Sequence, residues 1–344
     1  LKPILSKGAA LWLAPQHPRG MAMRGMSLFR FVPVALYAAS VTAQRSSPDP
    51  PKHWGGPRFK GKRVLVTGGD SGIGYAAVEA FYLECAKVLL HGHSEKKSAE
   101  ALASVKALTV PDACADSPPS VEYAVADIRN ASEVASLMNA TVRLLGGLDI
   151  AVNNAGTAGG KTRQIGDPDF VDSSGKLYDE SILDINLRGT LKCMNAELQY
   201  WESAKMPGVM VNVASIAGEV SWAGPLYSSS KWAMIGFTKQ AALNYAGKGI
   251  RVNAVAPGAV NTTMLRDGRS PTDPTWVARR EHWERLIPAG RIAEPWEMAG
   301  PITFLASDMA TYVTGAVLTA DGDLSQAKPL NLASAASAEG ALFV

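Results

Sequence analysis

The stretch Arg63-Val64-Leu65-Val66-Thr67-Gly68-Gly69-Asp70-Ser71-Gly72-Ile73-Gly74 joins a β-branched apolar run to a glycine-rich loop, and helical spacing follows over Ile73–Leu83. A short, nearly continuous apolar run is what a strand buried on both faces requires. Glycines directly behind it allow a tight turn and let the backbone approach a pyrophosphate, whose charge the following helix N-terminus stabilises. Alone, a glycine-rich loop is a weak signal, because any tight turn asks for the same residues. Here it stands between a strand and a helix, at the first step of a long alternation.

Working outward, similar runs recur at Lys87–Leu90, Val121–Ala126, Leu148–Asn153, Val209–Val213, Arg251–Ala256 and Val317–Ala320. Segments with helical spacing lie between them, including Ser132–Leu145, Tyr178–Trp201, Tyr227–Tyr245 and Trp296–Ser307. Parallel strands need helix-sized connections, and these cross over right-handedly. The expected fold is therefore α/β: a Rossmann-type, doubly wound, seven-stranded parallel sheet in three α/β/α layers. One domain over residues 59–325 accounts for the pattern, with loop insertions at Ala107–Ser120 and Thr157–Lys176 and a C-terminal tail over 326–344.

The 344 residues are 47% hydrophobic and 19% charged, which suits a globular chain with a full core. The net charge of +3 is located at one end. Residues 1–48 hold Lys2, Lys7, Arg19, Arg24, Arg30 and Arg45 and no Asp or Glu; removing those six from 34 leaves 28 basic against 31 acidic residues. No basic face is left to suggest nucleic acid. Arg30, the apolar stretch Phe31–Val41 and Val41-Thr42-Ala43 resemble a secretory signal, while the lack of acidic residues also suits a mitochondrial or plastid transit peptide. The stretch is too short for a stable membrane anchor. A Pro/Gly-rich linker runs to residue 58, so 1–58 is expected to be a targeting peptide and linker, disordered, ahead of a soluble domain. Cys85, Cys114 and Cys193 show no CxxC pairing; their odd count and wide spacing point to free thiols. No metal site is expected, His282 standing without a visible partner in sequence.

The TGxxxGIG spacing resembles the short-chain dehydrogenase/reductase family. The resemblance continues in order through Asp127-Ile128, Asn153-Asn154-Ala155-Gly156, Asn186, Ser215, Tyr227 with Lys231, Pro257-Gly258 and Asp321-Gly322, covering roughly Lys60 to Gly322. All but Asn186 and the Tyr/Lys pair fall at C-terminal strand ends, where open α/β sheets bind ligands. The resemblance implies a nicotinamide cofactor held by Gly68, Asp70, Ser71, Gly72, Ile73, Gly74, Asp127, Ile128, Asn154, Ala155, Gly156, Tyr227, Lys231, Pro257, Gly258, Val260 and Thr262. In it, Asp127 caps the adenine, Asn154 and Gly156 stabilise the cleft, and Thr262 touches the nicotinamide amide. The second strand ends Leu90-His91-Gly92-His93-Ser94, with no carboxylate for a ribose 2′-hydroxyl. A carboxylate would repel a 2′-phosphate, so its absence favours NADP(H), with His93 where relatives carry Arg. NAD(H) stays open, because a neutral His contributes only a hydrogen bond.

Tyr227 and Lys231 are four apart, hence on one helical face. A phenol with a pKa of about 10 is a poor base near neutrality, and a neighbouring cation favours its ionised form. The resemblance implies that Tyr227 is the general acid/base in carbonyl–alcohol interconversion, that Lys231 also binds the cofactor ribose, that Ser215 holds the substrate oxygen, and that Asn186 anchors a water in a proton relay. It further implies a small-molecule carbonyl or alcohol substrate and a homodimer or homotetramer packed through the helices of Asn186 and Tyr227. Residues 261–294, with Met264, Trp276, His282 and Trp283, fall where the family carries a substrate lid. A catalytically silent dinucleotide sensor is the rival reading; it expects a broken Asn186, Ser215, Tyr227, Lys231 set, and all four are present.

Overall fold

The first apolar run forms β1 (Arg63–Thr67), and the helix behind its glycine loop is α1 (Gly72–Leu83). The computed structural model describes residues 56–160 and 163–327, so the targeting segment, most of the linker and the tail from 328 lie outside the described residues. The described residues fall in one unit. In chain order follow β2 (Lys87–Gly92), α2 (Glu95–Lys106), β3 (Ser120–Val125), α3 (Ala131–Leu145) and β4 (Ile150–Asn153). After them come α4 (Ser181–Leu183), a π-helix (Asp184–Gly189), α5 (Thr190–Ala204), β5 (Gly208–Val213) and α6 (Pro225–Tyr245). The chain then forms β6 (Ile250–Pro257), α7 (Pro274–Leu286), α8 (Pro295–Ala306) and β7 (Val317–Ala320).

The seven strands make one parallel sheet in the order β3-β2-β1-β4-β5-β6-β7. Thr67 pairs with His91 on one side and Asn153 on the other, so β1 and β4 diverge where the strand order reverses. That crevice is where open sheets of this kind take ligands. Successive strand residues face opposite layers. Val64, Val66, Val88 and Val211 pack with Phe81 and Ile302 on one face, while Leu65, Leu89, Met210 and Val252 pack with Leu137, Met194 and Trp201 on the other. Local signals set the helix ends. Asn130 accepts from Ser132 N at 3.0 Å to cap α3, Gly146 closes it at φ +81°, and Asp273 caps α7.

Four features depart from the sequence reading. The helix expected over Tyr178–Trp201 starts at Ser181, where Asp179 Oδ1 accepts from its N–H at 3.2 Å, and passes through the π-helix before α5. Helix α2, which buries little more than Ser98, Ala101 and Val105, offers weak apolar periodicity. Arg58, assigned to the linker, belongs to the fold: it pairs with the buried Glu84 and donates to Thr303 Oγ1 at 3.1 Å. The free-thiol assignment holds for Cys193 but not for the other two cysteines, because Cys85 and Cys114 form a disulfide. The β2–β3 connection folds back over the end of α1 and brings the two Cα atoms to 5.3 Å, within bridging range. A spacing of 29 residues reveals nothing of that path.

Candidate active site

A cavity opens at the C-terminal strand ends, with Tyr227, Lys231 and Ser215 in its lining. Tyr227 rides the first turn of α6, whose start is set by Pro225 at a position where a missing N–H costs nothing. Lys231, one turn on, is 4% exposed, and its Nζ donates to Val213 O at 3.0 Å and lies 5.6 Å from the Tyr227 ring centre. Burial pulls the Lys231 pKa down to about 8. Burial raises that of the Tyr227 phenol, and a hydrogen bond with Ser215 partly offsets this. In the polypeptide itself the phenol pKa is therefore raised and not lowered, because desolvation outweighs the Ser215 hydrogen bond. Ser215 follows β5 in extended backbone and accepts from Ala217 N at 3.1 Å, which fixes its hydroxyl at the head of a short 3-10 turn.

Asn186 is fully buried in the π-helix, a form frequent at functional sites. Its side chain accepts from Thr157 N and donates to Thr157 O, each at 2.8 Å, and donates to Ser230 Oγ at 3.3 Å. Its amide thus ties the loop after β4 to α6. Thr157 was not singled out in the sequence, and nothing in its spacing marks it.

On the nucleotide side, Asn154 Nδ2 donates to Gly68 O at 2.9 Å and Thr67 O at 3.2 Å, fastening the glycine loop to β4. Gly72 adopts φ +55°, and a Cβ there would meet Thr262 Cγ2 at 3.2 Å, so the loop after β6 closes onto the glycine loop. Ile73, Asn154, Gly156, Pro257, Gly258, Val260 and Thr262 line the cavity. Gly68, Asp70, Ser71, Gly74, His93, Asp127, Ile128 and Ala155 stand along the same edge without lining it. Asp127 is held by the Arg129 guanidinium at 2.6–3.0 Å, which keeps its carboxyl below the usual range. These groups offer what a dinucleotide needs: a glycine cradle, a helix N-terminus and a carboxylate near the adenine end.

The other wall is apolar. Tyr178 and Ile182, at the end of the 157–176 insertion, face Ile216, Trp222, Met264, Leu265 and Trp283. The Trp222 and Trp283 rings lie 5.6 Å apart at 43°. Trp276 is buried beneath them in the lid's own core, whereas Trp283 serves both core and cavity. Among the described residues no three His, Cys, Asp or Glu side chains converge to hold a metal ion.

Residues 68–325 match the family model described as enoyl-(acyl carrier protein) reductase. The chain belongs to the short-chain dehydrogenase/reductase family. Among its relatives, 3β-hydroxysteroid dehydrogenase 1 of Eggerthella lenta is 34% identical over 270 residues, 78% of this chain and 95% of the relative. Glucose 1-dehydrogenase of Gluconobacter oxydans is 35% identical over 275 residues, 78% of this chain and 93% of the relative. The crystal structure of levodione reductase superposes with a TM-score of 0.68 at 30% identity, covering 79% of this chain and all of the other. As a member of the family the protein is an NAD(P)(H)-dependent oxidoreductase that interconverts a carbonyl and an alcohol.

Proposed function

We propose that the enzyme acts on bulky, apolar carbonyl compounds or their alcohols, with Tyr227 as general acid/base. The observation that carries this reading is the composition of one cavity: a phenol, a hydroxyl and an ammonium meet on one side of it, and aromatic and aliphatic side chains form the other. When bound, the nicotinamide supplies or accepts hydride. Tyr227 Oη holds the proton that the substrate oxygen gains on reduction and loses on oxidation. A phenol kept protonated by burial is suited to donate. Ser215 Oγ, already placed by Ala217 N, hydrogen-bonds the same oxygen and orients it toward Tyr227. Lys231 holds the ribose, as its buried ammonium beside Val213 O suits. Asn186 keeps Thr157 and α6 in register so that these groups stay aligned.

Relatives named for hydroxysteroids and for levodione share the leaning toward alicyclic compounds, while the glucose relative does not. The deciding experiment follows absorbance at 340 nm with decalones, steroid ketones and sugars as alternative substrates. Turnover of alicyclic ketones with none of sugars supports the assignment; the converse removes it.

Assembly through α6 is part of the same reading. Trp232 and Leu243, eleven residues apart and so on one helical face, are 52% and 78% exposed. Light scattering on the purified chain should give a dimer or tetramer, and a monomer at micromolar concentration counts against it. A thiol-oxidising compartment is also proposed. The buried Cys85–Cys114 pair supports it, together with the signal-like Phe31–Val41 segment. Alkylation trapping in cells should find that pair oxidised, and finding it reduced removes the proposal.

A further inference from the structure

The end of β2 is where an enzyme of this topology places the acid that reads the adenosine ribose. Here that end is Gly92, which has no side chain, and on sequence alone its bareness favours NADP(H). The structure shows what stands in the space. A Cβ built on Gly92 would lie 2.4 Å from Ser98 Oγ, 2.5 Å from Asp70 Oδ2 and 2.8 Å from Asp70 Cγ. A carboxylate is thus present at the strand end after all, delivered from the glycine-rich loop instead of from β2.

That carboxylate is incompletely satisfied. Asp70 Oδ2 is buried and has no hydrogen-bond partner among the described residues, and Oδ1 has only a long contact with Ser71 Oγ at 3.5 Å. A carboxylate oxygen withheld from water is costly to leave without a donor. The vicinal hydroxyls of an unphosphorylated ribose are donors of the right kind; a 2′-phosphate brings negative charge and no donor.

Three nearby basic side chains are neutral or turned to other carboxylates. His91 is buried, and its Nε2 faces Ala126 O at 3.0 Å. A carbonyl only accepts, so Nε2 carries the proton, and Nδ1 accepts from Gly68 N at 3.3 Å. The ring is therefore neutral, and burial holds it so. Arg129 is forked on Asp127. Lys96 is exposed on α2 opposite Glu100, and Glu95 adds another carboxylate bonded by the Tyr123 hydroxyl.

We propose that Asp70 is the ribose-reading residue of this enzyme, binding the 2′-hydroxyl and excluding a 2′-phosphate, so that NAD(H) is preferred over NADP(H). The assignment rests on the dinucleotide-binding reading and reverses the preference drawn from β2 alone. It is tested by calorimetric titration of the full chain with NAD⁺ and NADP⁺, for the native protein, Asp70→Ser and the volume-conserving Asp70→Asn. Steady-state kcat/KM for NADH and NADPH is measured alongside. The native protein should bind NAD⁺ at least about tenfold more tightly, and either variant should cut that ratio by about tenfold or more, chiefly by gaining NADP⁺ affinity. NADP⁺ binding as tight as NAD⁺ in the native protein, or an unchanged ratio in Asp70→Asn, overturns the assignment while leaving the dinucleotide site intact. Binding of neither nucleotide overturns both.

Discussion

Replacing Cys85 and Cys114 together by Ser opens a loop that the disulfide closes over a separation of 29 residues. Chain-entropy arguments give about 3.6 kcal/mol at 25 °C for a closed loop of that length. Both cysteines are 1% exposed, and the bridge pins the long β2–β3 connection to the turn between α1 and β2. The loss should therefore appear as lowered global stability, since the sheet's edge strand β3 depends on that connection. For a domain of this size, each kcal/mol shifts Tm by about 2–4 °C, so the variant should melt about 7–14 °C below the native protein. Scanning fluorimetry on protein folded in a glutathione redox buffer measures this directly, and adding a phosphine reductant to the native protein should reproduce most of the shift. Thiol titration in denaturant should count the single free Cys193 before reduction. Three titratable thiols in the oxidised preparation, or a Tm that neither reductant nor substitution moves, refutes the reasoning.

Glu197 is fully buried, with Asn153 Nδ2 donating to its Oε2 at 2.9 Å, and burial pushes its pKa up to about 7. Because the folded-state pKa is raised, its contribution is fully present below about pH 4.5 and is lost as pH rises through 7, a change of about 3 kcal/mol. Chemical denaturation should show Glu197→Gln flattening the native decline between about pH 4.5 and 7; an unchanged pH slope contradicts this. Trp283→Ala, which removes one of the two tryptophan walls, should raise KM for alicyclic ketones by about tenfold and lower kcat less, as lost apolar contact predominates. An unaltered KM would place the substrate elsewhere. Asn154→Ala, losing bonds to Thr67 O and Gly68 O, should weaken nucleotide binding by about tenfold in calorimetry; an unchanged Kd would show that the glycine loop holds its shape alone.

The strands were legible because a sheet covered on both faces demands continuous apolar runs, and runs such as Arg63–Thr67 are found in place to the residue. The cavity was legible in part for a related reason: Ser215, Asn154, Pro257 and Thr262 sit at or just after strand ends, and strand ends are fixed by the same pattern. What escaped depends on paths between elements. Cys114 meets Cys85 only because the β2–β3 insertion doubles back, and Trp222 meets Trp283 only because the lid folds over the loop before α6. Asp70 counts among the cofactor-binding residues in the sequence, but that its carboxylate reaches across to Gly92, a neighbour in space from another strand, is visible only in the fold. Side-chain direction also escaped. The π-helix turns the Asn186 amide onto Thr157, a partner that the sequence does not mark.

The role of Tyr227 is tested most directly by Tyr227→Phe under single-turnover conditions, with nucleotide affinity measured on the same preparation. Loss of about 10²-fold or more in the hydride-transfer rate, with nucleotide Kd within about threefold of native, is the expected outcome. A rate within about threefold of native would mean that the phenol carries no proton in this reaction.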